Sequence, residues 1–203
     1  PELPEVEATC RSLREPLAGA PVTAVRVGKP LRWPLGCQPD TLVGAVVQGL
    51  ARRSKYLILD FSRGDALLLH LGMSGSLAMQ MAPPAPGPHD HFDLVTDRGT
   101  LRLNDPRRFG AVVHVPGHQD RQTHGLLAGL GPEPLGEAFT REHFYAGLHN
   151  RRAPVKTVLL AGELVVGKVG GREIAVLGGR AQGRSAEASD GESRASTRLN
   201  NRA

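Results

Sequence analysis

Aromatic side chains are scarce in this sequence and cysteine scarcer still: Phe, Trp and Tyr make up 4% of 203 residues, and Cys10 and Cys37 are the two cysteines. A core of this composition is mainly Leu, Val and Ala. Without a C-x-x-C pair, a cysteine-rich zinc site is excluded, and two distant thiols argue against a disulfide framework. A reducing cytoplasm is the simplest setting. No apolar run approaches the roughly 18 residues of a membrane span. The first residues are acidic rather than basic and apolar, so no secretory signal is expected. Acid is also short relative to base, with Asp+Glu 20 against Lys+Arg 25 and a net charge of +5. That surplus favours an anionic partner such as nucleic acid, with ordinary solubility charge as the plain alternative.

The chain opens Pro1-Glu2-Leu3-Pro4-Glu5-Val6-Glu7. If Pro1 is a mature terminus, its secondary amine is a candidate nucleophile. An α-amino group titrates near ~8 and a lysine near ~10.4, so a terminal amine reaches its reactive form closer to neutral pH. Attack on a sugar aldehyde carbon gives an iminium, the electron sink of Schiff-base catalysis. Glu2 stands beside it as a candidate general acid or base. The plain alternative is that Pro1 merely marks where a methionine was removed. Leu3, Val6, Cys10, Leu13 and Leu17 recur at helical spacing. Pro4 suits the first turn of that helix, and Pro16 with Gly19 marks its exit.

Strand-like runs follow at Val22–Val27, Thr41–Leu50, Tyr56–Phe61, Ala66–Leu71, Phe92–Thr96, Thr100–Leu103 and Ala111–Val115. Turn signals such as Arg63-Gly64-Asp65 and Asp97-Arg98-Gly99 separate them. Close spacing with few helices between predicts antiparallel pairing in a sandwich or flattened barrel. Met81–Pro88 reads as a proline-rich surface loop, Thr140–Leu148 as a helix, and Val155–Val166 as a buried helix. Beyond about Gly167 the texture changes. Arg180–Ala203 holds Arg, Ser, Ala, Gly, Asp and Glu with one leucine and no aromatic. Such a segment buries too little apolar surface to offset its ordering entropy and is expected to be disordered.

Three internal clusters carry chemistry. Arg52-Arg53-Ser54-Lys55 precedes a strand, and Lys55 is a candidate to contact phosphate or move a proton; a solvated strand end is the bland reading. His70-Leu71-Gly72-Met73-Ser74-Gly75 ends an apolar strand in a glycine-flanked turn that projects His70 and Met73. A structural hairpin explains that turn equally. Asn104-Asp105-Pro106-Arg107-Arg108-Phe109-Gly110 puts two arginines and an aromatic at one turn. That combination suits insertion into a nucleic-acid groove, where an apolar side chain fills the space of an extruded base. Otherwise Phe109 is core and the arginines are surface. His89-Asp90-His91 has metal-like spacing but no third ligand.

The blocks Pro1–Glu7, His70–Gly75 and Asn104–Gly110, in this order and at these distances, resemble the formamidopyrimidine-DNA glycosylase family of bacterial base-excision repair. Leu31-Arg32-Trp33-Pro34 and Leu130-Gly131-Pro132-Glu133-Pro134-Leu135 add to the resemblance, which covers roughly Pro1–Gly167. The resemblance implies a mainly β fold with flanking helices. Residues 1–135 would form a two-layered antiparallel β-sandwich with a leading helix. Residues 136–167 would be a linker and the start of an incomplete helical DNA-binding domain, and 168–203 a divergent tail.

By the same resemblance Pro1 attacks C1′ of the damaged nucleoside, and Glu2 protonates the sugar ring oxygen. Lys55 contacts DNA and gives a proton during β-elimination. His70, His89, Arg107 and Arg151 match DNA-contacting positions, while Met73, Arg107 and Phe109 match the residues that fill the duplex after base flipping. The implied activity is removal of oxidised purines and nicking of the resulting abasic site. The implied partner is double-stranded DNA bearing oxidised purines or abasic sites, the setting the bacterial cytoplasm near the nucleoid, and the default state a monomer. Leu164-Val165-Val166-Gly167 leads into Lys168-Val169-Gly170-Gly171 and departs from the family pattern. The helix-two-turn-helix and the zinc finger with two C-x-x-C pairs are missing, so no cofactor is expected in this chain. A frameshift, a truncation or a faulty gene model would produce that departure. The competing functional reading is an impaired remnant that binds DNA weakly without turnover.

Overall fold

The computed structural model describes residues 1–117 and 124–166. The expected tail at 168–203 lies outside the described residues. Helix α1 spans Leu3–Leu17 and buries Val6, Cys10, Leu13 and Leu17, the stripe that its spacing predicts. Pro16 is accommodated in the last turn rather than ending the helix before it.

Eight strands follow: β1 (Val22–Val27), β2 (Val47–Arg53), β3 (Tyr56–Phe61), β4 (Ala66–His70), β5 (Ser76–Gln80), β6 (Asp90–Thr96), β7 (Gly99–Asn104) and β8 (Ala111–Val115). They form two four-stranded sheets, β1-β6-β7-β5 and β2-β3-β4-β8. Every neighbouring pair is antiparallel. The sandwich expected from close strand spacing is therefore present. Helix α1 packs on β2 and β5, an edge strand of each sheet.

Alternation explains why the sheets face each other. Leu57, Leu59 and Phe61 of β3, Leu67 and Leu69 of β4 and Val112 of β8 point inward. They meet Leu77, Phe92, Leu94, Leu101 and Leu103 of the other sheet. The intervening Leu68, Ala111, Val113 and Val115 point outward and are covered by Leu127 with Leu126 and Leu130. That second layer is why β4 is apolar at successive positions: both of its faces are buried.

On the outer face of the other sheet, Arg102 is 6% exposed and takes Asp93 in a two-pronged ion pair at 2.8 and 2.9 Å. Arg26 binds the same carboxylate at 2.7 Å, and Arg102 also reaches the Pro84 carbonyl at 2.9 Å, anchoring the proline-rich loop. These guanidinium partners hold the Asp93 carboxyl below its usual pKa, against burial, the largest single influence and one that acts to raise it.

Three expectations need correction. The run Thr41–Leu50 is not one strand: Pro39–Leu42 forms a 3-10 turn, and pairing begins at Val47. Strand β5 was not anticipated, because Ser76-Leu77-Ala78-Met79-Gln80 alternates but lacks β-branched residues. The run Val155–Val166 is helical only over α3 (Val155–Leu160). Gly162 turns at φ +78°, and the chain then bends back irregularly, with Gly131 N–H on the Gly162 carbonyl and Val166 N–H on the Pro132 carbonyl. The expected helix at Thr140–Leu148 is α2 (Arg141–Leu148), capped by the Thr140 hydroxyl.

Candidate active site

The start of α1 places Glu2. The Glu5 carboxylate accepts the Glu2 N–H at 2.9 Å and holds its backbone at the helix N-cap. The Glu2 side chain is half exposed and meets Lys55 Nζ at 2.5 Å. Residues 53 places apart are thus joined at one point.

Lys55 sits in the two-residue turn between β2 and β3. Ser54 enters that turn at φ +54°, a left-handed conformation that costs a non-glycine residue about 1 kcal/mol. Glu133 holds the turn in place. Its Oε1 accepts Ser54 N–H at 2.7 Å and Arg53 at 3.1 Å, and its Oε2 accepts Arg52 at 2.8 Å. Arg53 also donates to the carbonyls of Leu130 and Gly131. Arg52 binds Glu7 at 2.6 Å, tying the hairpin to α1. Hydrogen bonds from Arg52 and Arg11 hold the Glu7 carboxyl below its ordinary pKa. The basic run is therefore not a solvated strand end: Arg52 and Arg53 are consumed by acids, and Lys55 projects from the turn they brace.

His70 closes β4 beside Tyr56, with ring centroids 4.8 Å apart. Its Nδ1 accepts the Gly72 N–H at 3.0 Å, which leaves the ring hydrogen on Nε2. Burial, and then the charges of Lys55, Arg32 and the terminal amine, push its pKa below the ordinary value. The charges of Lys55, Arg32 and the terminal amine therefore all bear on this imidazole. Arg32 was not singled out as a functional residue; its signal is a guanidinium paired with an exposed tryptophan, 5.4 Å from the Trp33 ring centre.

Met73 and Phe109 are exposed on neighbouring turns, at 63% and 45%. Gly72, at φ +60°, backs onto the second turn: a Cβ there would come within 2.6 Å of Phe109 C and Gly110 N. Arg107 lies 5.0 Å over the Phe109 ring. The reading of Phe109 as core is thereby excluded. His89 is exposed on the adjoining segment, its carbonyl accepting the Asp105 N–H at 2.8 Å. His91 is buried, with Nε2 at 3.1 Å from the Asp105 carbonyl. Arg151 follows α2 and faces Glu163 at 4.0 Å rather than any other candidate side chain.

The zinc of the resemblance does not fit these residues. Two thiols cannot supply two C-x-x-C pairs, and Cys10 is fully buried with Sγ on the Leu50 carbonyl at 3.8 Å.

Known proteins resemble this chain in sequence and in fold. Residues 1–112 match the model of the formamidopyrimidine-DNA glycosylase N-terminal domain. The chain is 62% identical over 167 residues to a formamidopyrimidine-DNA glycosylase of Variovorax paradoxus, covering 82% of this chain and 62% of that protein. A relative from Xanthomonas oryzae is 48% identical over 170 residues. The structure of a Lactococcus lactis formamidopyrimidine-DNA glycosylase bound non-covalently to DNA containing an AP site superposes with a TM-score of 0.76 at 30% identity. It covers 83% of this chain and 65% of that one. A Thermus thermophilus structure matches with a TM-score of 0.71 at 36% identity, covering 83% and 60%. The chain spans about six-tenths of the length of the curated relatives it matches.

Proposed function

Because the chain belongs to the formamidopyrimidine-DNA glycosylase family, we propose that it carries that family's base-excision chemistry on double-stranded DNA containing oxidised purines or abasic sites. The observation that carries the proposal is the contact between Lys55 and Glu2, the neighbour of Pro1, at 2.5 Å, with His70 paired opposite Tyr56, the residue after Lys55.

The proposed roles are those that the family resemblance implies. The Pro1 amine adds to C1′ of the lesion nucleoside as the C1′–base bond breaks, the departing base takes a proton from solvent, and the proline nitrogen gives up its own proton to the Glu2 carboxylate. Glu2 passes that proton to the ring oxygen, the C1′–O bond breaks and the sugar opens, and the freed nitrogen lone pair completes the iminium. Loss of a C2′ proton then drives β-elimination, expelling the phosphate on the 3′ side. Lys55, already donating to Glu2, supplies a proton path beside this step and a charge for the backbone. His70 offers Nε2–H to a phosphate as a neutral donor. His89, Arg107 and Arg151 are the further phosphate contacts. Met73, Arg107 and Phe109 enter the stack where the lesion leaves, offsetting an unstacking cost of a few kcal/mol.

Borohydride trapping on an abasic-site duplex tests this reading. The chain is expected to give a covalent adduct that Pro1→Gly abolishes and Glu2→Gln slows by roughly 100-fold or more, the usual scale of general acid–base catalysis. Strand cleavage that survives both substitutions would show that other residues carry the chemistry. Salt-sensitive binding without any adduct would instead make the chain a DNA-binding module.

A further inference from the structure

Asp105 has no assigned role, yet it is completely buried between the two turns that carry Met73 and Phe109. Its carboxylate reaches both. Oδ1 accepts the Ser74 hydroxyl at 2.9 Å, next to Met73, and the Arg107 N–H at 3.3 Å. Oδ2 accepts the Gly110 N–H at 2.7 Å, next to Phe109. Its main chain is also engaged: the carbonyl accepts from Arg108 N–H at 3.2 Å and lies 3.1 Å from His91 Nε2, while its N–H donates to the His89 carbonyl.

The backbones leave no slack. A Cβ on Gly72 would strike Phe109 and Gly110, and a Cβ on Gly110 would lie 2.9 Å from the His70 carbonyl and 3.0 Å from Asp105 Oδ2. An aspartate before a proline ordinarily caps its own turn through the N–H two residues on. That local role accounts for the Arg107 bond. It does not account for the Ser74 hydroxyl, which belongs to a turn 31 residues away.

We infer that Asp105 is a positioning residue that clamps the Met73 turn to the Arg107–Phe109 turn, so that the three side chains enter DNA as one preset wedge. This rests on the base-flipping reading above. A carboxylate suits the task because both oxygens accept. An asparagine in the same place turns its amide donor against either the Gly110 N–H or the Arg107 N–H, whichever way it faces, and that N–H loses its acceptor.

The test uses the full chain and duplexes with 2-aminopurine opposite an abasic site, whose fluorescence rises when its stacking is disturbed. Wild type is expected to raise the signal at saturation. Asp105→Asn and Ser74→Ala are expected to cut that rise by at least about half, while Ser74→Thr, which keeps the hydroxyl, restores it. On a single-stranded abasic oligonucleotide, which has no opposite base to displace, both variants are expected to form the borohydride adduct within about 3-fold of wild type. A misplaced wedge, by contrast, slows lesion removal from duplex by roughly 10- to 100-fold. An unchanged fluorescence response in the variants overturns the inference, as does an equal loss of trapping on single strands, which would mark a merely structural aspartate. Failure of wild type to trap covalently would sink the proposed function instead, while the fluorescence comparison still decides the clamp.

Discussion

His70 and His91 are both held below the ordinary histidine pKa, in each case chiefly by burial. The folded chain therefore binds fewer protons at these rings than the unfolded chain does. Their contribution to stability is fully present above the unfolded value, about 6.5, and is lost as pH falls from there toward the folded values. Glu7, Asp65, Asp90 and Asp93 are shifted down as well, from ordinary values of 4.5 and 3.8, so their stability is lost only at more acid pH. Urea midpoints are accordingly expected to be lower at pH 5.5 than at pH 7.5, and His91→Gln is expected to flatten the difference. A phosphate placed against His70 Nε2 favours the charged ring. Its NMR titration midpoint should rise when abasic duplex is added, and no movement would remove His70 from the contact set. At this scale the sequence named His70 through its glycine-flanked turn. It gave no hint that the charges of Lys55, Arg32 and the terminal amine all bear on the ring, because only the fold relates residues so far apart in sequence.

The β2–β3 hairpin is the element on which the site turns. Its tip carries Lys55, and Glu133 holds that tip through two arginines and the Ser54 N–H. Glu133→Gln would replace a doubly accepting carboxylate with a group that accepts at one end only. A loss of about 1–3 kcal/mol is expected in denaturant unfolding, the usual penalty for partly buried groups left short of a partner. Trapping at an abasic site should weaken with it, because the Lys55 turn loses its support; full activity at reduced stability would show that the turn holds itself. Tyr56–Phe61, whose burial alternates, and Ala111–Val115, a short valine-rich run, were legible along their whole length. β5 was not, since its Ala, Met and Gln carry little strand preference and its pairing with β7 decides the matter. The apolar run after Val155 misled for a related reason: a short apolar run looks the same whether it stays helical or turns into an irregular segment, and here the helix stops at Leu160.

Across the whole molecule, the proposed cationic contacts with DNA are Lys55, Arg107 and Arg151, while His70 contributes as a neutral donor. Each neutralised phosphate releases condensed counterions, so log K for an abasic duplex is expected to fall against log salt with a slope of about −2.7 for three contacts. Fluorescence anisotropy at several salt concentrations measures it, and Arg107→Ala should reduce the slope by about one contact. A slope near zero would show that the net charge of +5 plays no part in binding.

The sequence by itself determined the helix stripe, the antiparallel β character, the order of the motifs and the residue types able to do the chemistry. Those are properties of local spacing and composition, and they survive without knowledge of what packs on what. Only the tertiary structure decided that Glu2 touches Lys55, that Arg52 and Arg53 are spent on Glu7 and Glu133, and that Asp105 lies between the two turns. Apart from the bond between Asp105 and Gly110, those contacts join residues far apart in the chain, and strand pairing together with the closing of two sheets over one core is what sets their distance.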